Sequence, residues 1–241
     1  MSIESTIQNS VMTAKLRLQL ARPMRTGEAP ALRGFFGRQF EDEVLMHNHG
    51  PNAQLIYQYP RVQFKVLDRF AYLIGIDEGS ELLQRLWLDI DQTRIGSEEL
   101  SVLQSDLQTE TAAIEVTDAP IRYRFVTPWL ALNQKNFHEY TQSRSQSFRR
   151  EKLNRTLVGN CLGMCKSLGI RLTDHITSDC SGLHSIKTTL KGQAMIGFVG
   201  TFELNLTLPR YIGLGKSVSR GFGASMHSLE KNIEFTPPLC R

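Results

Sequence analysis

The run Gly213-Leu214-Gly215-Lys216-Ser217-Val218-Ser219-Arg220-Gly221-Phe222-Gly223 carries the residue types of a polyanion site. Two Gly-x-Gly pairs bracket a span holding two cations and two hydroxyls. Glycine lacks a Cβ, so the amides of Gly213, Gly215, Gly221 and Gly223 can come close to a phosphate. Lys216 and Arg220 add charge beside the Ser217 hydroxyl, for an affinity that would fall with salt. The spacing is not that of a nucleotide loop. A Walker A sequence needs glycine where Arg210 stands, and Gly-x-Gly-x-x-Gly needs it where Val218 stands. A second basic cluster lies in residues 144–155, where Arg144, Arg149, Arg150, Lys152 and Arg155 face a single acid, Glu151. For proton transfer, the notable pair is His47 and His49, just before Gly50-Pro51. Imidazole titrates near 6.5, so it can give or take a proton at neutral pH.

The other titratable residues carry less. His138, His175, His184 and His227 stand outside any motif and read as structural or solvated. Cys161, Cys165, Cys180 and Cys240 lack the paired spacing of a zinc ribbon. Cys161 and Cys165 fall on one face of a helical pattern and read as core. No metal and no cofactor is therefore expected. Net charge is +4, mildly basic and compatible with an RNA partner. With 41% hydrophobic residues the chain can bury a core as one large or two small domains. The first ten residues are polar, and no run of 18 apolar residues exists. The expectation is a cytoplasmic protein with reduced thiols and no membrane contact.

The positioning elements follow from periodicity. Residues 14–20 alternate, with Ala14, Leu16, Leu18 and Leu20 on one side and Lys15, Arg17 and Gln19 on the other, a strand with one buried face. Pro30 opens a short helix. Apolar runs at 55–59, 62–67 and 71–76 read as strands. Asp77 is placed to cap a helix over residues 78–88, and strands follow near 93–96 and 111–116. Ile121, Tyr123 and Phe125 alternate with arginines. A helix over about 148–168 stripes Leu153, Leu157, Cys161, Met164, Cys165 and Leu168 on one side, with Arg149, Lys152 and Arg155 away from it. Strands are expected near 170–177 and 182–190, and most clearly at 196–206. Each half approximates βαββαβ, so the fold class is α+β, two tandem ferredoxin-like (RRM-like) domains over residues 1–118 and 119–241. The boundary is placed near Asp118-Ala119-Pro120. The second half shows no second helix.

Several runs together resemble one family. They are Leu32-Arg33-Gly34; Leu45-Met46-His47-Asn48-His49; Tyr59-Pro60-Arg61-Val62-Gln63-Phe64-Lys65; Ile74-Gly75-Ile76-Asp77-Glu78-Gly79; and strand 196–206 with its glycine loop. The chain is similar to the CRISPR-associated endoribonucleases that cut repeats in precursor crRNA, the sixth Cas family of the RAMP superfamily, subgroup b. The resemblance implies tandem ferredoxin-like domains with repeat RNA bound across them. It implies cleavage without metal: a ribose 2′-hydroxyl attacks the adjacent phosphate, leaving a 2′,3′-cyclic phosphate and a 5′-hydroxyl. It implies a histidine near the end of the first helix, His49 ahead of His47, acting with Tyr57. Lys65 is the candidate for charge stabilisation. Phosphates would be held by the glycine loop and by Arg149, Arg150, Lys152 and Arg155. The partner is CRISPR repeat RNA, with an effector complex as a further expectation, for a monomer or homodimer. The alternative is a non-catalytic RNA-binding subunit of such a complex.

Overall fold

The computed structural model describes residues 9–47 and 58–230. Its first sheet is antiparallel with strand order β2-β3-β1-β5-β4. The strands are β1 (Ser10–Leu20), β2 (Val62–Leu67), β3 (Phe70–Ile76), β4 (Gln92–Ile95) and β5 (Glu98–Ala113). Helices α1 (Ala29–Gln39), the short α2 (Val44–His47) and α3 (Glu78–Leu86) belong to this half. Leu32 and Phe36 of α1 and Leu82 and Leu83 of α3 pack on Ala14, Leu16, Leu18, Phe64 and Leu73. This is the ferredoxin-like arrangement, with β4 added as a hairpin at the edge.

The second sheet has order β10-β6-β9-β7, with β8 also on β9. Its strands are β6 (Val116–Trp129), β7 (Ser178–Asp179), β8 (Leu183–Leu190), β9 (Gln193–Leu206) and β10 (Ser225–His227), with helices α4 (Gln134–Gln142) and α5 (Gln146–Ser167). Leu153, Leu157, Cys161, Met164 and Cys165 of α5 are buried with Phe125, Trp129, Phe198 and Phe202. The chain between β9 and β10, where this topology usually has its second helix, is the glycine-rich loop. Among the described residues no helix is long and apolar enough to cross a membrane.

Several expectations change. Residues 118–120 lie within β6, and the passage between the sheets falls at Ile114–Glu115. Residues 170–177, expected as a strand, form none; the two-residue β7 follows them. The one expected at 111–116 is the end of the long, half-exposed β5. Helix α4 was not anticipated: none of its residues is fully buried, and its short apolar face is Phe137 and the half-buried Tyr140. Asp77 precedes α3 without a side-chain cap. Its carboxylate instead accepts from the Met12 amide (3.1 Å) and pairs with Arg61 (2.9 Å).

The largest change concerns β1, which has two buried faces. Lys15 and Arg17 are 8% and 6% exposed. They share their side of the sheet with Tyr72 and Ile74, directly opposite on β3. That side is covered by the second half of the chain: Leu67, Tyr72 and Ile74 pack against Tyr211 and Met226.

Candidate nucleic-acid interface

The glycine loop is a closed ribbon with an exposed tip. Its arms pair as a short antiparallel ladder: the Leu214 amide donates to Gly223 O (2.9 Å) and the Ser225 amide to Ile212 O (3.1 Å). The tip turns at Ser217, whose carbonyl accepts from the Arg220 amide (2.8 Å). The glycines are first of all packing residues. At Gly215 (φ +86°) a Cβ would lie 2.6 Å from Trp129 Nε1, and at Gly221 (φ +98°) 2.6 Å from Ala29 Cβ. Side chains are excluded on both counts, conformation and space. Gly213 and Gly223 are buried, and their amides are taken: Gly213 donates to Gln63 Oε1 (3.0 Å), Gly223 to Pro128 O (2.9 Å). These two therefore do not offer amides to a phosphate, contrary to the sequence expectation. The outward-facing part is the tip, where Lys216 is exposed and Ser217, Ser219 and Arg220 are half-buried, with Val218 turned inside.

The tip brings together basic groups distant in sequence. Lys216 is exposed, and its ammonium donates to Leu132 O (2.9 Å). Partial burial lowers its pKa. A cleft beside it is lined by Gly215, Lys216, Asn160, Lys152, Arg155 and Asn133. The loop and one flank of α5 thus form one basic surface. Lys152 pairs with Glu139, which that hydrogen bond holds below the usual carboxylate range. Arg155 pairs with Glu151 (2.6 Å). The Arg155 pair is exposed and worth little, so that guanidinium stays available to a phosphate, while the Lys152 pair is half-buried.

The other end of the tip meets α1. Gly221 abuts Ala29, the first residue of α1. Arg220 is close enough to Arg33 to depress its pKa, after the larger effect of burial. Like charges near one another disfavour each other's charged form, and an anion nearby relieves that. Arg33 was quoted in the sequence only as part of Leu32-Arg33-Gly34; nothing in its spacing marked it as a partner of Arg220.

The remaining candidates divide. The arginines of α5 do not share one face. Arg149 is tied to α4, its Nε donating to Tyr140 O (3.1 Å) with the guanidinium over that ring. Arg150 lies on the opposite flank from Arg155, in a cleft with Ser147, Ser181 and His184. His47 ends α2. His49 and Tyr57 lie outside the described residues. Lys65 is not a surface charge: it is fully buried and donates to Val218 O (2.8 Å) and Phe222 O (2.9 Å). Its place in β2 sends it to the face that the second half covers. Tyr59, from the same run, donates to Gly213 O (2.6 Å), and burial pushes its phenol up. The thiols of Cys161, Cys165 and Cys180 are buried, and burial pushes Cys165 to about 11 and Cys180 to about 12.

Two ferredoxin-like sheets in tandem, with a glycine-rich loop between β9 and β10 in place of a helix, define a class, the double ferredoxin-like proteins. Within it, a family model described as the Cas6b N-terminal domain matches residues 9–113, and one described as the Cas6b C-terminal domain matches residues 115–228. The chain belongs to the Cas6b family, whose members are CRISPR repeat-processing proteins of the Cas6 type. The fold is also that of a solved structure titled "Crystal structure of Cas6b", 32% identical, with TM-score 0.85 over 90% of this chain and 99% of that one. A "CRISPR RNA processing endoribonuclease Cas6b" gives 31% identity and TM-score 0.71 over the same shares. An uncharacterized protein of Methanocaldococcus jannaschii is 32% identical over 57% of this chain and 92% of its own length.

Proposed function

We propose that this protein is an endoribonuclease that cuts CRISPR repeat RNA within precursor crRNA, by attack of a ribose 2′-hydroxyl on the adjacent phosphate. The observation that carries the reading is the loop tip. It sets Lys216 beside the basic flank of α5 and brings Gly221 against Ala29 at the start of α1, in a chain of the Cas6b family. The chemistry asks for a base at the 2′-hydroxyl, an acid at the leaving 5′-oxygen and positive charge at the phosphate. His49 is assigned the proton transfers, with His47 as the alternative and Tyr57 orienting the 2′-hydroxyl or donating a proton. The charge at the phosphate comes from Arg33 and Arg220, in place of the enclosed Lys65. A positioned acid or base contributes about 10²–10⁴-fold. This residue set needs no bound metal to complete the reaction. Lys216, Lys152 and Arg155 hold flanking phosphates, and Arg150 meets the RNA on the far side of α5. The products are a 2′,3′-cyclic phosphate and a 5′-hydroxyl. The enzyme acts in the cytoplasm as a monomer or homodimer and can hand its product to an effector complex.

The test is single-turnover cleavage of the cognate repeat RNA in EDTA. Cutting should persist there and vanish when the nucleotide 5′ of the scissile phosphate is 2′-deoxy. His49→Ala should slow it at least about 10²-fold with binding within a few-fold, and His47→Ala should do less. Cleavage of the deoxy substrate would overturn the mechanism. Loss of all cutting in EDTA would overturn its independence of metal. Binding with no cutting under any condition would leave a non-catalytic subunit.

A further inference from the structure

Lys65 is a buried cation whose hydrogen-bond partners are two loop carbonyls, Val218 O and Phe222 O, 153 and 157 residues further along the chain. Among the described residues no carboxylate pairs with it. Burying an amine strips its hydration, a cost comparable to what its hydrogen bonds return, and an apolar side chain of that length would often serve a core as well. What the ammonium does here, and an apolar chain would not, is fix two peptide units. A trans peptide points its N–H opposite its C=O. With Val218 O turned to Lys65, the next amide, that of Ser219, points away from it, in the stretch of chain between Lys216 and Arg220. With Phe222 O turned inward, the Gly223 amide points away to reach Pro128 O. Gln63, two residues back on the same face of β2, holds the other arm by accepting from the Gly213 amide.

We propose that Lys65 and Gln63 are positioning residues for RNA binding: strand β2 of the first sheet sets the loop of the second so that the Ser219 amide and the Lys216 and Arg220 side chains face one phosphate run. This rests on the reading that the loop tip binds RNA. The experiment is repeat-RNA binding as a function of salt for wild type, Lys65→Met, Lys216→Ala with Arg220→Ala, and the triple variant. Lys65→Met should lower the slope of log K against log salt by about 1. In the triple variant Lys65→Met should add at most about two- to three-fold to the loss already caused by the double change, because both act through one element. An undiminished, additive loss in the triple variant, or an unchanged slope for Lys65→Met while the double variant's slope falls, overturns the proposal. If the double variant itself keeps the wild-type slope, the loop reading fails first and takes the proposal with it. Should Lys65→Met fail to fold, Gln63→Met makes the same comparison without removing a charge.

Discussion

Two carbonyls and a closed core surround the Lys65 ammonium, and that environment has a pH signature. Burial pushes its pKa down to about 7, against 10.5 for a free lysine side chain. Between those values the unfolded chain binds more protons at this residue than the native chain. Stability should therefore rise as pH is raised through about 7 toward 10. Denaturant unfolding at pH 6 and pH 9 should show wild type gaining stability relative to Lys65→Met, and a constant difference would contradict the assignment. The run Tyr59 to Lys65 was legible as distinctive but not as structural. Lys65 reads as a candidate for charge at the phosphate because strand alternation assumes one wet face, and the second half of the chain covers that face. The same error put Lys15 and Arg17 in solvent. At His47, His49 and Tyr57 the assignment remains that of the resemblance.

At the scale of elements, the loop does two jobs. Its arms pack between the sheets, and its tip offers charge. Changes in tip charge should therefore separate from changes in backbone fit. Lys216→Ala with Arg220→Ala should flatten the salt dependence of RNA binding by about 1–2 units, roughly 0.7–0.9 per phosphate contact, with little change in melting temperature. Gly221→Val should lower both binding and stability, because a β-branched residue resists φ +98° and its Cβ would meet Ala29 at 2.6 Å. The thermal melts of the two variants read the difference. A double-charge variant that melts several degrees lower and keeps its salt slope would make the tip purely structural. The elements with strong apolar stripes were legible: β1, α3, α5 and β9. Those with weak stripes were not, because no residue of α4 is fully buried, Tyr140 being half-buried against Phe198, and much of β5 is open to solvent. The missing second helix was noticed, but its replacement was not recognised. A loop whose arms are buried by packing across sheets has no periodic signal.

At the scale of the whole molecule, tandem domains would by default move against each other unless their interface is large and apolar. Here the interface is continuous with the cores. Val11, Ile76 and Ile114 from the first half share a cluster with Trp129, Leu157 and Phe202 from the second. Tyr72 meets Tyr211 edge-on at 5.7 Å. Arg61 donates to Ser167 O (3.0 Å), and the Ser167 hydroxyl accepts from the Tyr59 amide (3.0 Å). The loop crosses this seam, so its shape depends on both halves being folded. One cooperative transition is the consequence: calorimetric and van't Hoff enthalpies should agree for the intact chain. Tyr211→Ala tests the coupling from within the seam. Tyr211 is 1% exposed, and truncating a buried aromatic costs about 3–5 kcal/mol. For a chain of this size each kcal/mol shifts the melting temperature by about 2–4 °C. The variant should melt lower, still in one step, because the weakened seam belongs to the core of both sheets. Two resolved transitions, with one near the wild-type temperature, would mean that the halves fold independently. The first sheet could then not hold the loop in place from across the seam.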